Sequence, residues 1–136
     1  MQARTAVMIG RAGFGSWEIA IIAGQLLLAY LLGSMSGSLL LGRLRGLDIR
    51  QHGSGNAGGT NALRVAGWKF ALVVVVIDIG KGTLAALVGA WQPGPNTLDA
   101  ENQQYVIALC GFAAVIGHCW PVFFGFRGGK GAGTAV

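Results

Sequence analysis

The sequence predicts an all-α fold, a polytopic membrane helical bundle of about three transmembrane helices with Gly-rich cytoplasmic loops. Three observations predict it. Of 136 residues, 53% are hydrophobic and only 11% are charged, whereas a soluble domain of this size carries about a quarter charged residues. Three apolar stretches, Ile19 to Leu41, Phe70 to Trp91 and Tyr105 to about Phe126, each reach the roughly twenty helical residues that cross a bilayer. After the first and third of them come segments rich in glycine and cations, with too few large apolar side chains to build a core.

Residues 1–18 read as a disordered N-terminal tail. They carry Arg4 and Arg11 but no sustained apolar core, so no cleavable signal peptide is expected and the first span serves as its own insertion signal. Residues 19–136 form one membrane domain. Its first span is apolar except for Gln25 and the small residues Gly33, Ser34, Ser36, Gly37 and Ser38. Two readings of that cluster stand side by side. Small residues let membrane helices approach closely; alternatively Gly33-Ser34 opens the helix and sets the Ser34 hydroxyl beside the next segment.

That segment, GSGNAGGTNALR from Gly53 to Arg64, has no large apolar side chain before Leu63. Glycines tolerate positive φ and let the main chain wrap a ligand. Ser54, Asn56, Thr60 and Asn61 supply hydroxyls and amides suited to an oxygen-rich guest, and Arg64 ends the stretch with a rigid cationic fork. The expected guest is a phosphate; a flexible solvated loop is the plain alternative. Gly53, Gly55 and Gly58 also spell the dinucleotide fingerprint, with Asp78 twenty residues on. That motif needs a preceding buried strand and a βαβ unit, and LRGLDIRQH offers neither.

Charge fixes the orientation. Arg43, Arg45, Arg50, Arg64 and Lys69 fall in this one connection, against Asp48 alone, while the later connection QPGPNTLDAENQ holds Asp99 and Glu101 and no cation. By the positive-inside bias the glycine segment faces the cytoplasm. The same bias accounts for most of the net charge of +5, and without aromatic interleaving it does not point to nucleic acid.

The second span carries Asp78 and Lys81. Each charge costs on the order of 3 kcal/mol at a helix centre in a membrane. Three residues apart, they share a helix face and can pair while pointing into the bundle. They are either an internal structural pair or support for a site.

The third span reaches Gly117-His118, breaks at Pro121, and delivers a second glycine-and-cation loop with Arg127, Gly128, Gly129, Lys130, Gly131 and Thr134. The spacing is not a Walker motif: its first glycine is one residue too close, and Gly131 stands where Ser or Thr is required. After three spans this loop returns to the side of the first, so two anion-binding loops share one face. Cys110 and Cys119, nine residues apart among apolar neighbours, read as buried small residues, and no disulfide, metal or cofactor is inferred. His118 is either a hydrogen-bonded structural histidine or a weak candidate base. Neither it nor His52 is followed five residues later by aspartate, so the His-x-x-x-x-Asp dyad of other glycerolipid acyltransferases is absent.

Four ordered motifs, GSMSGS, GLDIRQHGSGNAGGTNALR, DIGKG and GHCWPVFFGFRGGKGAGT, resemble the bacterial membrane acyl-phosphate:glycerol-3-phosphate acyltransferases of the PlsY type, from about Leu32 to the end of the chain. Met35-Ser36 stands where the family commonly has Ile-Pro, Gly59 where alanine is usual, and Ala132-Gly133 where Val-Ala is usual. The resemblance implies transfer of a fatty acyl group from acyl phosphate to the first hydroxyl of glycerol 3-phosphate. The product is lysophosphatidic acid, for phospholipid biosynthesis at the bacterial inner membrane. Neither acyl carrier protein nor coenzyme A is expected as direct donor. By motif position it implies that Ser54, Arg64 and Lys130 bind substrate phosphate. Asn56, Thr60, Asn61, Gly128, Gly129 and Gly131 contribute to the phosphate loops, and Ser34, Asp78 and Lys81 support them.

The chemistry agrees with this makeup. Acyl phosphate is already activated, so the main tasks are to hold two repelling phosphates together and aim the hydroxyl. A substrate phosphate, with a second pKa near 6, can itself accept the hydroxyl proton. Family members continue for several more spans, so the expectation is a fragment or a degenerate paralogue that inserts in the membrane but alone transfers little. The competing reading is a non-catalytic membrane protein whose loops bind an anionic headgroup or a partner.

Overall fold

The computed structural model describes residues 15–94 and 98–136, which form five α-helices and no strand. They are α1 (Ser16–Ser34), α2 (Gly37–Leu44), α3 (Gly59–Ala66), α4 (Trp68–Ala90) and α5 (Ala100–Cys119), with 3-10 turns at Ile49–Gln51 and Val122–Phe124. Among the described residues three segments are long and apolar enough to span a membrane: Ser16–Ser34, Trp68–Ala90 and Ala100–Phe124.

The boundaries differ from the sequence reading for identifiable reasons. Residues 1–14 of the expected tail lie outside the described residues, and Ser16 to Glu18 already form the first turn of α1, where the Glu18 carboxylate accepts from the Gly15 N–H at 2.6 Å. The first span does not run unbroken to Leu41. It stops at Ser34, passes through extended backbone at Ser36 and restarts as α2. The polar AENQQ segment belongs to the third helix because Asp99 caps it, accepting from the Asn102 N–H at 2.8 Å.

All three long helices contact one another, with α1 and α5 parallel and in direct contact and α4 antiparallel and packed against both. Small residues make this possible. A Cβ on Gly33 would overlap the backbone of Ala114, and one on Gly117 would overlap the Tyr30 carbonyl and come within 2.8 Å of the Ser34 nitrogen. The shared core is correspondingly small in side chains: Ala29, Ala85, Val106, Cys110 and Ala114. Large apolar residues point the other way, with Leu27, Val76 and Phe112 each at least 60% exposed, as a lipid-facing surface requires. Cys110 is buried, and both cysteines are free thiols.

At the end away from the glycine loops, Gln25 spans from α1 to α4 and donates to the carbonyls of Val88 and Trp91, both at 2.8 Å. Gln103 donates to the Gly89 carbonyl at 2.6 Å. These amides cap the end of α4: they bond the Gly89 carbonyl and the Trp91 carbonyl just past the helix, and add a second donor to the Val88 carbonyl, which the Trp91 N–H also reaches at 3.3 Å. At the opposite end a second cluster of Leu39, Ile49, Ala57, Ala62, Phe70, Val74 and Phe124 packs the loops onto the bundle. That cluster is the floor on which the site is built.

Candidate functional site

The two glycine segments meet around one cavity of about 480 Å³. From the first segment it is lined by Ser54, Asn56, Gly58, Gly59, Thr60, Asn61 and Arg64, from the second by Lys130 to Gly133, and from the bundle by Asp78 and His118. Residues separated by more than sixty positions thus face the same space.

The first segment is not a loop throughout. Gly53 and Gly55 take positive φ, at 59° and 72°, which lets the chain turn back on itself. From Gly59 it is helical. The N–H groups of Gly59, Thr60 and Asn61 precede the first helical bond, made by Ala62 N–H to the Gly58 carbonyl at 3.0 Å. A helix N-terminus therefore opens on the cavity, with free N–H donors and a partial positive charge.

Asn61 proves to be the fastener of this turn. Its Oδ1 accepts from the Ser54 N–H at 2.9 Å, and its Nδ2 donates to the carbonyls of Ile49 at 3.1 Å and His52 at 3.0 Å. Both amide hydrogens are used, so the expected contact from Asn61 to phosphate has no donor left to make it. Ser38 adds a second fastening, its hydroxyl donating to the Ala57 carbonyl at 2.9 Å.

The second loop is pinned at its base. Gly128 N–H donates to the Cys119 carbonyl at 3.0 Å and Gly129 N–H to the His118 carbonyl at 3.1 Å. Side chains at either position would collide with the histidine. Gly128 and Gly129 thus set the loop's path without lining the cavity. Gly131, at φ 78°, turns the chain beyond Lys130. Arg50 holds the loop from outside, donating to the carbonyls of Phe124 at 3.0 Å and Arg127 at 2.9 Å while paired with Asp48 at 2.7 Å. The hydrogen bonds from Arg50 hold the Asp48 carboxyl below the ordinary carboxylate range. Nothing in the spacing of Arg50 advertised this role.

Arg64 and Lys130, both exposed at the cavity, pair with no carboxylate or carbonyl among the described residues. Asp78 is the acid on the cavity wall, and it is committed elsewhere. Its Oδ1 lies 3.0 Å from Lys81 Nζ and accepts from the Gly37 N–H at 3.2 Å. Lys81 donates to the Gly33 carbonyl at 2.9 Å and contacts His118 Nδ1 at 2.7 Å. The buried pair thus caps both sides of the break in the first span, the cation at the C-terminal end of α1 and the anion at the start of α2. Both charges find polar partners, which offsets their cost in the membrane interior. Lys81 supports the site from below and does not line it. Ser34, expected beside the glycine loop, instead turns its hydroxyl back to the Tyr30 carbonyl at 2.9 Å, because Gly117 packs directly against it.

Two unpaired cations, a helix N-terminus and a fully engaged acid make a site for a multiply charged oxyanion. Comparisons with known proteins give the family. Residues 23–136 match the family model described as glycerol-3-phosphate acyltransferase. The chain belongs to that family. It is 52% identical over 115 residues to the glycerol-3-phosphate acyltransferase of Chlorobaculum tepidum, covering 82% of this chain and 50% of that one. It is 46% identical over 109 residues to that of Halalkalibacterium halodurans, covering 79% and 50%.

The crystal structure of PlsY, an integral membrane glycerol 3-phosphate acyltransferase, in its glycerol 3-phosphate form superposes with a TM-score of 0.71 at 38% identity, covering 84% of this chain and 54% of that one. Its lysophosphatidic acid form gives 0.67 at the same identity. The chain spans about half the length of the curated relatives it matches. Family membership thereby rests on matches along most of the chain, and the helical membrane fold on the superposition with a solved relative.

Proposed function

We propose that this chain carries the phosphate-binding part of a glycerol-3-phosphate acyltransferase that uses acyl phosphate as donor. The observation that carries the reading is the convergence of unpaired Arg64, unpaired Lys130 and the N-terminus of α3 on one cavity. Two phosphate groups brought together repel, and this donor set offsets that repulsion. The 1-hydroxyl of glycerol 3-phosphate attacks the acyl carbonyl carbon, and the bond from that carbon to the phosphate oxygen breaks. Inorganic phosphate leaves and lysophosphatidic acid forms. The hydroxyl proton passes to a substrate phosphate, whose second pKa near 6 suits the task. Arg64 and Lys130 hold and orient the anions, with Ser54, Asn56 and Thr60 as further polar contacts. No acyl carrier protein, coenzyme A or cofactor enters the step.

The cavity faces the cytoplasm at the bacterial inner membrane in this reading, which the five cations from Arg43 to Lys69 support through the positive-inside bias. In a background with Cys110→Ala and Cys119→Ala, cysteines at Ser54 and Glu101 should label from opposite sides of inverted vesicles. Labelling from one side would overturn the topology.

The function is tested by assaying lysophosphatidic acid from acyl phosphate and glycerol 3-phosphate, with this chain alone and with the chain extended by the C-terminal half of the Chlorobaculum relative. Transfer by the extended form supports the reading. Binding of glycerol 3-phosphate without transfer by either form would favour a non-catalytic membrane protein that binds an anionic headgroup.

A further inference from the structure

His118 lies in the last turn of α5, where the bundle, the first segment and the second loop meet. It is only 2% exposed, yet it lines the cavity. Its two ring nitrogens have different surroundings. Nδ1 lies 2.7 Å from the ammonium of Lys81, whereas Nε2 lies against Gly129, where a Cβ would overlap it. Among the described residues Nε2 has no hydrogen-bond partner, and it is not among the buried polar atoms left unsatisfied. It is therefore the ring nitrogen open to the cavity.

The ammonium decides the tautomer. Lysine donates three hydrogens and accepts none. Here the three nearest acceptors are His118 Nδ1 at 2.7 Å, the Gly33 carbonyl at 2.9 Å and Asp78 Oδ1 at 3.0 Å, with the Met35 carbonyl farther off at 3.4 Å. A hydrogen on Nδ1 would set two donors face to face, and the carboxylate oxygen, at 3.6 Å from Nδ1, is too far to accept it. Nδ1 must offer its lone pair, which leaves the ring hydrogen on Nε2.

We propose that His118 is a neutral hydrogen-bond donor to the phosphate of the bound ligand, locked as the Nε2–H tautomer by Lys81. The inference rests on the cavity being a phosphate site, and it assigns the histidine a role opposite to that of a base. A ring whose Nδ1 is held by an ammonium and whose Nε2 already bears hydrogen has no lone pair for the substrate hydroxyl. What it offers is an N–H in a mostly buried position, where a donor to an oxyanion is worth more than in water. Asp78 and Lys81 act through it as positioning residues. The charged groups facing the ring are Asp78 and Lys81 on α4, with Arg64 and Lys130 across the cavity.

The test combines a spectroscopic signature with a pair of substitutions. In the His52→Gln background, 15N-labelled histidine should show one protonated nitrogen at Nε2 and one lone pair at Nδ1. The Nδ1–H form, or a hydrogen on both ring nitrogens, would overturn the proposal. In Asp78→Asn/Lys81→Met, which removes both charges together, the lock is gone and the Nδ1–H tautomer should appear beside the Nε2–H one.

Glutamine places its amide N–H near the position of Nε2, whereas asparagine reaches only the position of Nδ1. His118→Gln should therefore keep glycerol 3-phosphate affinity within about threefold, and His118→Asn should lose about tenfold. Equal affinities in the two variants would sink the donor role. If the unaltered chain binds no glycerol 3-phosphate, the phosphate reading of the cavity falls and the ligand end of this donor falls with it, whatever the tautomer.

Discussion

Arg50 reaches 77 positions along the chain to place its Nη1 2.9 Å from the carbonyl oxygen of Arg127. Through that bond and its companion to Phe124 at 3.0 Å, the connection before the first glycine segment fixes the base of the second. Lys130 lies three residues beyond the clamp, so the distance between Arg64 and Lys130 depends on it.

Arg50→Ala should accordingly weaken glycerol 3-phosphate binding without removing any residue from the cavity. Titration calorimetry should show a loss of roughly tenfold, as for a charge-assisted hydrogen bond, and Arg50→Lys should recover little because one ammonium cannot serve Asp48 and two carbonyls as the fork does. Acid should loosen the same clamp. The folded Asp48 carboxyl is held below its ordinary value, so its contribution is present above the unfolded carboxylate pKa of about 3.9. It is lost as the pH falls through the folded value. Protease cleavage within the second loop should rise below about pH 4 in the native sequence, and Asp48→Asn should show no such rise.

Arg64→Ala and Lys130→Ala should each weaken glycerol 3-phosphate binding by roughly tenfold to a hundredfold, the loss of about 1.5 to 3 kcal/mol expected for a hydrogen bond to a charged group. Because both face one ligand, the double variant should fall short of the product of the single effects. Unchanged affinity in both single variants would mean that these cations serve another ligand.

The spans, the pairing of Asp78 with Lys81 and the gathering of the two glycine segments were legible in the sequence because each follows from composition, helical spacing and the parity of crossings. What escaped it depends on distance between elements. No pattern links position 81 to position 118, or 50 to 127, since helix packing sets those separations. Asn61 and Ser34 were ambiguous in the sequence for a related reason. A polar side chain in a glycine-rich stretch can serve a ligand or the loop itself, and only the geometry shows that the amide of Asn61 is already occupied. The helix that starts at Gly59 has little local signal, because a run of glycine and asparagine carries weak helix propensity and α3 owes its place to Ala62 packing beneath it.

Gly33→Val and Gly117→Val should each break the crossing of α1 and α5. The added carbons would meet backbone, which cannot rotate away, so the cost should reach or exceed the 1 to 3 kcal/mol (about) typical of overpacked cores. Gly24→Ala and Gly111→Ala are the controls, since a Cβ at either position meets nothing within 4 Å. Thermal unfolding in detergent should separate the two pairs. Equal midpoints would show that the helices do not cross as closely as described.

Asn61→Asp gives the sharpest separation between holding the loop and touching the ligand. The change is isosteric and leaves one oxygen able to accept from the Ser54 N–H, but the second replaces an N–H₂ that donates to the carbonyls of Ile49 and His52. Two acceptors would then face a third, at a position only 1% exposed, and a buried acceptor without a donor costs about 1 to 3 kcal/mol. The new charge would also stand on the wall of the cavity, opposing the anion that Arg64 and Lys130 attract. Both effects act against binding, so Asn61→Asp should reduce glycerol 3-phosphate affinity more than Arg64→Ala does, while Asn61→Ala, which adds no charge, should fall between Asn61→Asp and the native chain. Amide hydrogen exchange at Ser54 offers a readout independent of ligand: exchange should speed up in Asn61→Ala, where its acceptor is gone, and far less in Asn61→Asp. If Asn61→Ala binds as tightly as the native chain and Ser54 stays protected, the turn is held by Ser38 and the glycines alone, and the fastening role assigned to Asn61 is wrong.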